Sequence, residues 1–316
     1  MTSSPRFALS LVMGFTTVLA ACRGGSGEGS VFGRSRATGT VAVVLQAGEM
    51  PTGREIVAGL QESAKAHGLE LSVGTSGNDP GRERAAVAKA IGARVAALVV
   101  ESVDSVTAAA NAVAAARAKI PYFAIGVPAA GVPMAAHADV DHYAAGRVAA
   151  EYLAGYLGGN GVLALVRSAG VHGARELELG FRDGVAAHKG MSVAAVVEAS
   201  DQPGAAAGML QLLKAQRAVK GVFAAGPLLA QGAAEGAIAA RRADLAIVSF
   251  EMSDLVRAAV ANATEAPVKA AIVARPREMG KAVMDEVALY LADEPVAAEV
   301  RVPVRLITAD SARKGP

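Results

Sequence analysis

From Thr40 onward the chain alternates short β-branched runs with longer stretches of helical period. No other feature constrains the fold as much, because a strand that returns to its sheet through a helix comes back parallel to the strand before it. The first run is VAVVLQ, Val41 to Gln46, and Ile56, Leu60 and Ala64 behind it recur on one helical face at four-residue spacing. That helix breaks at His67-Gly68 before the strand LELSV. Asp79-Pro80 opens the next helix, since aspartate accepts from free amides and proline tolerates the first helical position. ALVVE, ending at Glu101, and PYFAI, before Gly126, complete four βα units by residue 130.

A second series begins with a helix from Asp141 to about Leu157, the turn GGNG and the strand VLALV. MSVAAVV, GVFAA and LAIVSF are further strands, separated by helices over Gly173–His188, Pro203–Arg217 and Leu228–Arg241. VKAAIVA and a helix from Pro276 to Asp293, with Met279, Val283, Val287 and Leu291 four apart, close the pattern. A length of 316 residues suits two domains of ordinary size. The expected fold class is therefore α/β, two doubly wound parallel-sheet lobes.

Ahead of this body, Met1 to Cys22 has the outline of a secretory signal: Arg6, an apolar run, then small residues. The ending Leu19-Ala20-Ala21-Cys22 resembles the lipobox of bacterial lipoproteins, which implies removal of residues 1–21 and acylation of Cys22. The apolar run falls short of the ~20 residues that span a bilayer. Residues 22–39, rich in Gly and Ser, read as a flexible tether. The expected location is the cell envelope, on its periplasmic or extracellular face, with a lipid anchor in the membrane. Cys22 is the single cysteine, so no intramolecular disulfide and no cysteine-held metal can form. A net charge of +2 without a basic cluster argues against nucleic acid as partner.

Several chemistries are missing. The first βα turn reads QAGEMPTGRE, which lacks the GxGxxG spacing of a dinucleotide site, and no phosphate-cradling GxxxxGK[ST] occurs. Ser168 lacks the first glycine of a nucleophile elbow, and the SxxK match from Ser311 to Lys314 falls in the terminal tail. Glu176 and Glu178, two apart on a helix, do not face each other. The stretch HADVDH, His137 to His142, has metal-ligand residue types, but alternation along an extended segment puts His137 and Asp139 on one face and His142 on the other. Asp141 is needed there as a helix cap. The expectation is therefore no catalytic residue, no cofactor and no metal: a binding protein and not an enzyme.

From Val41 to about Thr308 the chain resembles the type I periplasmic binding proteins, in the ribose and simple-sugar group that feeds ABC transporters. The stretches that carry this are VAVVLQAGEMPTGREIVAGLQESAKAHGLEL, ALVVESVDSVTAAANAV, AKIPYFAIGV, DHYAAGRVAAEYLAGYLG and SAGVHGARELELGFRDGVAAHKG. The resemblance implies a three-segment hinge, with lobe 1 over 40–138 plus 275–302 and lobe 2 over 139–274 plus 303–310. A small-molecule ligand would sit between them at the carboxyl ends of the strands. Arg175 stands where the sugar binders place a donor to ligand hydroxyls, and Glu251 stands in place of their aspartate.

Elsewhere the pattern departs. The loop after strand one reads Glu49-Met50-Pro51-Thr52-Gly53 in place of an asparagine and two aromatics around a proline. Gly126-Val127 replaces an aspartate and arginine, Gly226-Pro227 an asparagine and aspartate, and Ala274 a glutamine, while Gln202 falls near the second-lobe aromatic. With seven Phe, five Tyr and no Trp, stacking platforms are scarce. The expected lining is Gln46, Glu49, Met50, Glu101, Asp141, Arg175, Gln202 and Glu251, whose four carboxylates point to a polar or cationic ligand other than ribose. The implied protein is a monomer that delivers its ligand to an ABC permease. A second reading stays open: a lipoprotein of the same fold with a degenerate cleft, acting with a membrane sensor or receptor. The lac repressor family shares such a body behind a helix-turn-helix, and here a signal and tether hold that position, which disfavours DNA binding.

Overall fold

All nine runs read as strands are strands in the computed structural model, which describes residues 39–242 and 244–314. The expected signal segment, Cys22 and the tether up to residue 38 lie outside the described residues. The first series runs β1 (Thr40–Leu45), α1 (Pro51–Ala66), β2 (Glu70–Thr75), α2 (Pro80–Gly92), β3 (Ala97–Val100), α3 (Ser105–Arg117), β4 (Tyr122–Ile125) and β5 (Ala136–Val140). The second runs α4 (His142–Tyr156), β6 (Asn160–Arg167), α5 (Ala174–Ala186), β7 (Gly190–Glu198), α6 (Gln202–Ala215), β8 (Val219–Ala224), α7 (Pro227–Ala239), β9 (Ala246–Phe250), α8 (Asp254–Ala261) and β10 (Val268–Val273). The chain closes with α9 (Pro276–Leu291), β11 (Glu299–Val302), β12 (Arg305–Ile307) and α10 (Ala309–Arg313).

Helix starts follow the local chemistry of the sequence. Asp79, Asp104, Asp141 and Asp201 each accept the backbone N–H three residues on, at 2.7–2.8 Å, and so satisfy an amide that has no partner inside the helix. Pro51, Pro80, Pro227 and Pro276 take the first helical position, where a missing N–H costs nothing.

The strands form two six-stranded sheets, ordered β11-β5-β4-β3-β1-β2 and β12-β10-β9-β8-β6-β7, parallel throughout except for antiparallel β12. The central strands of each sheet are buried on both faces, which is why they read as continuous apolar runs, whereas the edge strand β2 is largely exposed. In β1, Val41, Val43 and Leu45 pack with α1 and α9 while Ala42 and Val44 enter the core under α2 and α3. In β6, Leu163 and Leu165 face α4 and α5, and Ala164 and Val166 face α6 and α7. β5 stays in the first sheet through Val140, paired with Val302, two residues beyond the boundary expected at Ala138.

Three segments connect the sheets: Val140 into α4, Val273 into α9, and β11 into β12. Val140 and Val302 end adjacent strands of one sheet, and Val273 pairs with Arg305 where β12 enters the other. All three crossings therefore join carboxyl edges, and the space between the lobes opens onto the strand ends.

Close helix contacts fix the outer layers. Gly180 of α5 lies against the carbonyl of Tyr143 in α4, and Gly146 of α4 against the carbonyl of Leu177, so a Cβ at either position would strike backbone. Gly180→Ala is expected to lower stability by roughly 1–3 kcal/mol, because neither helix can withdraw without opening the core around Phe181. Urea denaturation of the variant beside the parent checks it; an unchanged midpoint would show that the helices have slack.

Candidate functional site

Strand ends present side chains to the interlobe space because the backbone leaves the sheet there and no helix yet covers it. Gln46 follows β1 and Glu101 follows β3, the two central strands between which the winding direction reverses. The structure brings this pair together: the Gln46 backbone N–H donates to Glu101 Oε2 at 3.0 Å, and Gln46 Nε2 donates to the Ser102 carbonyl at 2.6 Å. Burial pushes the Glu101 carboxyl above its ordinary range, and the Gln46 N–H pulls partly against that.

Beneath them lies a network that reading the sequence did not find. Glu83 of α2 is fully buried and accepts from Ser102 Oγ (2.6 Å), Asn111 Nδ2 (2.7 Å) and the Val103 N–H (2.9 Å). Since the Ser102 hydroxyl proton goes to Glu83, the 3.2 Å contact between Ser102 Oγ and the Tyr122 hydroxyl has Tyr122 as donor. Glu83 thus anchors the loop after β3 that carries Glu101. The available signal was a glutamate on the α2 face shared with Val87, which the surrounding Arg82, Arg84 and Lys89 disguise as a solvated helix.

Glu49 and Met50 are exposed in the loop after β1. Glu49 borders a groove of about 370 Å³ with Arg54, Gln61 and Thr75, toward the β2 edge of the sheet. Met50 is 60% exposed at the head of α1 and caps it without a side-chain bond.

In the second lobe, Glu251 follows β9 with a φ of 60°, a left-handed conformation that costs a non-glycine residue energy and is retained where neighbours fix it. The fixing bonds are visible: the Glu251 N–H donates to Ile272 O at 2.7 Å, its carbonyl accepts from Ser249 Oγ at 2.8 Å, and Oε1 accepts from the Ala274 N–H at 2.8 Å. Burial raises this carboxyl too, and the Ala274 N–H opposes the shift. Gln202 opens α6 and donates to Glu235 Oε1 of α7 at 2.7 Å. Asp141 commits Oδ1 to the Ala144 N–H, as a cap does. Arg175, in the first turn of α5, is exposed and has no hydrogen bond or ion pair to any described residue. No hydrogen bond joins the first-lobe group of Gln46, Glu49, Met50 and Glu101 to the second-lobe group.

The stretch His137–His142 departs from its expected alternation. His142 Nδ1 lies 3.5 Å from Asp139 Oδ2, on the same side as His137 and Asp139, because the backbone turns at Asp141 into α4 and the two-residue alternation ends there. His172, from the loop before α5, adds Nε2 at 2.6 Å from the same oxygen. The hydrogen bond to Asp139 holds the His172 pKa up, whereas burial pushes that of His142 down.

Two outcomes are expected. Glu83→Ala orphans three buried donors and should cost roughly 3 kcal/mol in urea denaturation, with loss of order in the Glu101 loop read by hydrogen exchange; a neutral result would mean that water replaces the carboxylate. The second concerns pH. A carboxyl whose folded pKa is raised binds its proton more tightly in the folded state, so its stabilisation is complete below the ordinary 4.5 and is lost as pH rises through the raised value. Glu101→Gln and Glu251→Gln should each flatten the decline of melting temperature between about pH 4 and about pH 7; parallel curves for variant and parent would refute it.

Comparison with known proteins places these strand ends in context. Residues 41–295 match the family model described as periplasmic binding protein domain. The ribose import binding protein RbsB of Salmonella typhimurium is 30% identical over 280 residues, covering 88% of this chain and 93% of the relative. Among solved structures, the arabinose-binding protein AraP of Geobacillus stearothermophilus superposes with a TM-score of 0.79 at 17% identity, over 87% of this chain and 98% of its own. An ABC transporter periplasmic solute-binding protein of Actinobacillus succinogenes with bound D-allose gives 0.70 at 19% identity, over 87% and 99%. At such identities the two structures speak for the fold alone.

Proposed function

The chain belongs to the type I periplasmic binding protein family of sugar ABC transport, and we propose that it captures a small polar, sugar-like ligand other than ribose between its lobes. In this reading it hands the ligand to an ABC permease and is held at the outer face of a membrane through Cys22. Family membership makes it a binding protein and not an enzyme. Among the described residues no helix is long and apolar enough to cross a membrane.

The observation that carries the proposal is the contrast between Arg175 and its neighbours. Most polar groups at the strand ends are already bonded within their own lobe, whereas the Arg175 guanidinium brings donors in a rigid fork that bond no described residue. Glu101 and Glu251 each keep a carboxylate oxygen that accepts no hydrogen bond from a described residue, Oε1 of the former and Oε2 of the latter. An arginine on one lobe and acceptors on both suit a ligand carrying hydroxyls that donate and accept. Lobe closure would remove water from these groups and strengthen each bond by lowering the local dielectric.

The departures from the ribose pattern support a different ligand. Gly126, Gly226 and Ala274 offer no side-chain polar group, and a hydroxyl that met one of them would be desolvated without a partner. Met50 presents a flexible thioether where the family resemblance implies an aromatic, a surface that adapts to an apolar ring face but does not select its shape.

A thermal-shift screen of the purified chain against sugars, polyols, nucleosides, amino acids and polyamines tests this. A ligand at a hundredfold excess over its dissociation constant adds ~2.7 kcal/mol of stability. The expected result is a shift with a sugar or polyol that Arg175→Ala and Glu251→Ala each abolish. Ribose as the strongest hit would overturn the ligand assignment. No shift across the library would favour a degenerate cleft and a lipoprotein that presents its surface to a membrane receptor.

A further inference from the structure

Beside the first crossing lies a cavity of about 400 Å³ to which none of the eight cleft residues contributes. Its walls come from both lobes. His137 and Asp139 enter from β5, His142 and Glu176 from α4 and α5, and His172 from the loop before α5. One ligand atom from each of His137, Asp139 and His172 lies within 4.8 Å of the other two. Tetrahedral coordination at about 2.0–2.1 Å spaces ligand atoms about 3.3 Å apart, so side-chain rotations of about an ångström bring this trio onto one centre. The 3.5 Å between His142 Nδ1 and Asp139 Oδ2 is already close to that spacing.

The surroundings prepare these groups as ligands. The Gly126 carbonyl contacts His137 Nε2, and a carbonyl only accepts, so Nε2 carries the proton and Nδ1 is left with a lone pair. A backbone carbonyl on the far ring nitrogen is the usual support of a metal-bound histidine. Asp139 is likewise held, its Oδ1 accepting the Val140 N–H at 2.7 Å. Gly173, with a φ of 75°, presses the loop against the His142 ring, where a Cβ would collide with the imidazole, and this seats His172 next to His142. The cavity is lined by three carboxylates, Asp139, Glu176 and Glu299, against one guanidinium, Arg301, which is paired with Glu299. Its formal charge of −2 matches a divalent cation.

We propose that His137, Asp139 and His172, with His142 as the fourth ligand, bind a divalent late transition-metal ion of the Zn²⁺ class that ties the two lobes together at the first crossing. Imidazole nitrogens select such ions over Ca²⁺ and Mg²⁺, which take oxygen ligands. On binding, His172 Nε2 exchanges its hydrogen bond to Asp139 for a metal bond, and the ring hydrogen moves to Nδ1.

The test is calorimetric titration of the untagged full chain, stripped with a chelator, with Zn²⁺ alone, and the same titration with Co²⁺ followed by its ligand-field absorption. The expected result is one tight site per chain and a tetrahedral Co²⁺ spectrum. His172→Gln, on a side chain that is 35% exposed, and Asp139→Asn should each weaken the tight site at least tenfold. Their melting temperatures in chelator serve as the folding control. No tight site, or a tight site that survives both variants, would overturn the proposal. Because the probe is the ion alone, either outcome is independent of the sugar screen.

Discussion

Parallel register is the constraint from which the rest of this molecule follows. A strand buried on both faces has little room for polar groups along its length, and its return through a helix means that every parallel strand ends at the same edge. Polar chemistry therefore enters mostly where the chain leaves the sheet, and His137 and Asp139, inside β5, are exceptions close to that strand's carboxyl end. Glu101, Glu251 and Gln46 are all first residues after a strand, and the three crossings depart from the same edges. The strand-end polar groups and the three crossings share a location because both need backbone that the sheet has released.

That edge is costly to furnish. Two carboxyls raised by burial, a left-handed glutamate and a fully buried Glu83 each oppose stability unless bonded. The structure bonds them locally, within a lobe: Glu101 to Gln46, Glu83 to Ser102 and Asn111, Glu251 to Ala274. None of these bonds spans the two lobes. Arg175 has no such partner among the described residues, and a ligand that supplied one would gain a hydrogen bond to a charged group at little reorganisation cost.

What the sequence disclosed follows the same division. The strands were legible because β-branched runs bounded by turns are what double burial requires, and the helix starts because Asp-capped amides leave a residue-level signature. Two elements were harder: α8 has only eight residues, and β5, AHADV, carries a histidine and an aspartate where the other strands have an apolar run. Gln46 and Glu101 could be placed by counting to the end of a run. Glu83 could not, since its burial depends on α2 packing over the loop after β3, a contact made across nineteen residues of chain. The His137–His142 stretch was misread for a different reason. Strand alternation was applied through Asp141, where the backbone becomes helical, and the fourth member, His172, lies thirty-three residues from Asp139.

The histidine cluster also bears on how the lobes move. Asp139 belongs to the first sheet and His172 to the second lobe, so their contact is a polar bond that crosses the boundary which the cleft's own bonds respect. Any ion held there has a higher affinity for interlobe arrangements that keep both sides in reach. On the proposed function, a ligand in the cleft would likewise favour arrangements that bring Arg175 toward Gln46 and Glu101. Linkage then fixes the relation between the two without further detail: if one arrangement serves both, each strengthens the other by the same factor, and if the arrangements differ, each weakens the other by the same factor.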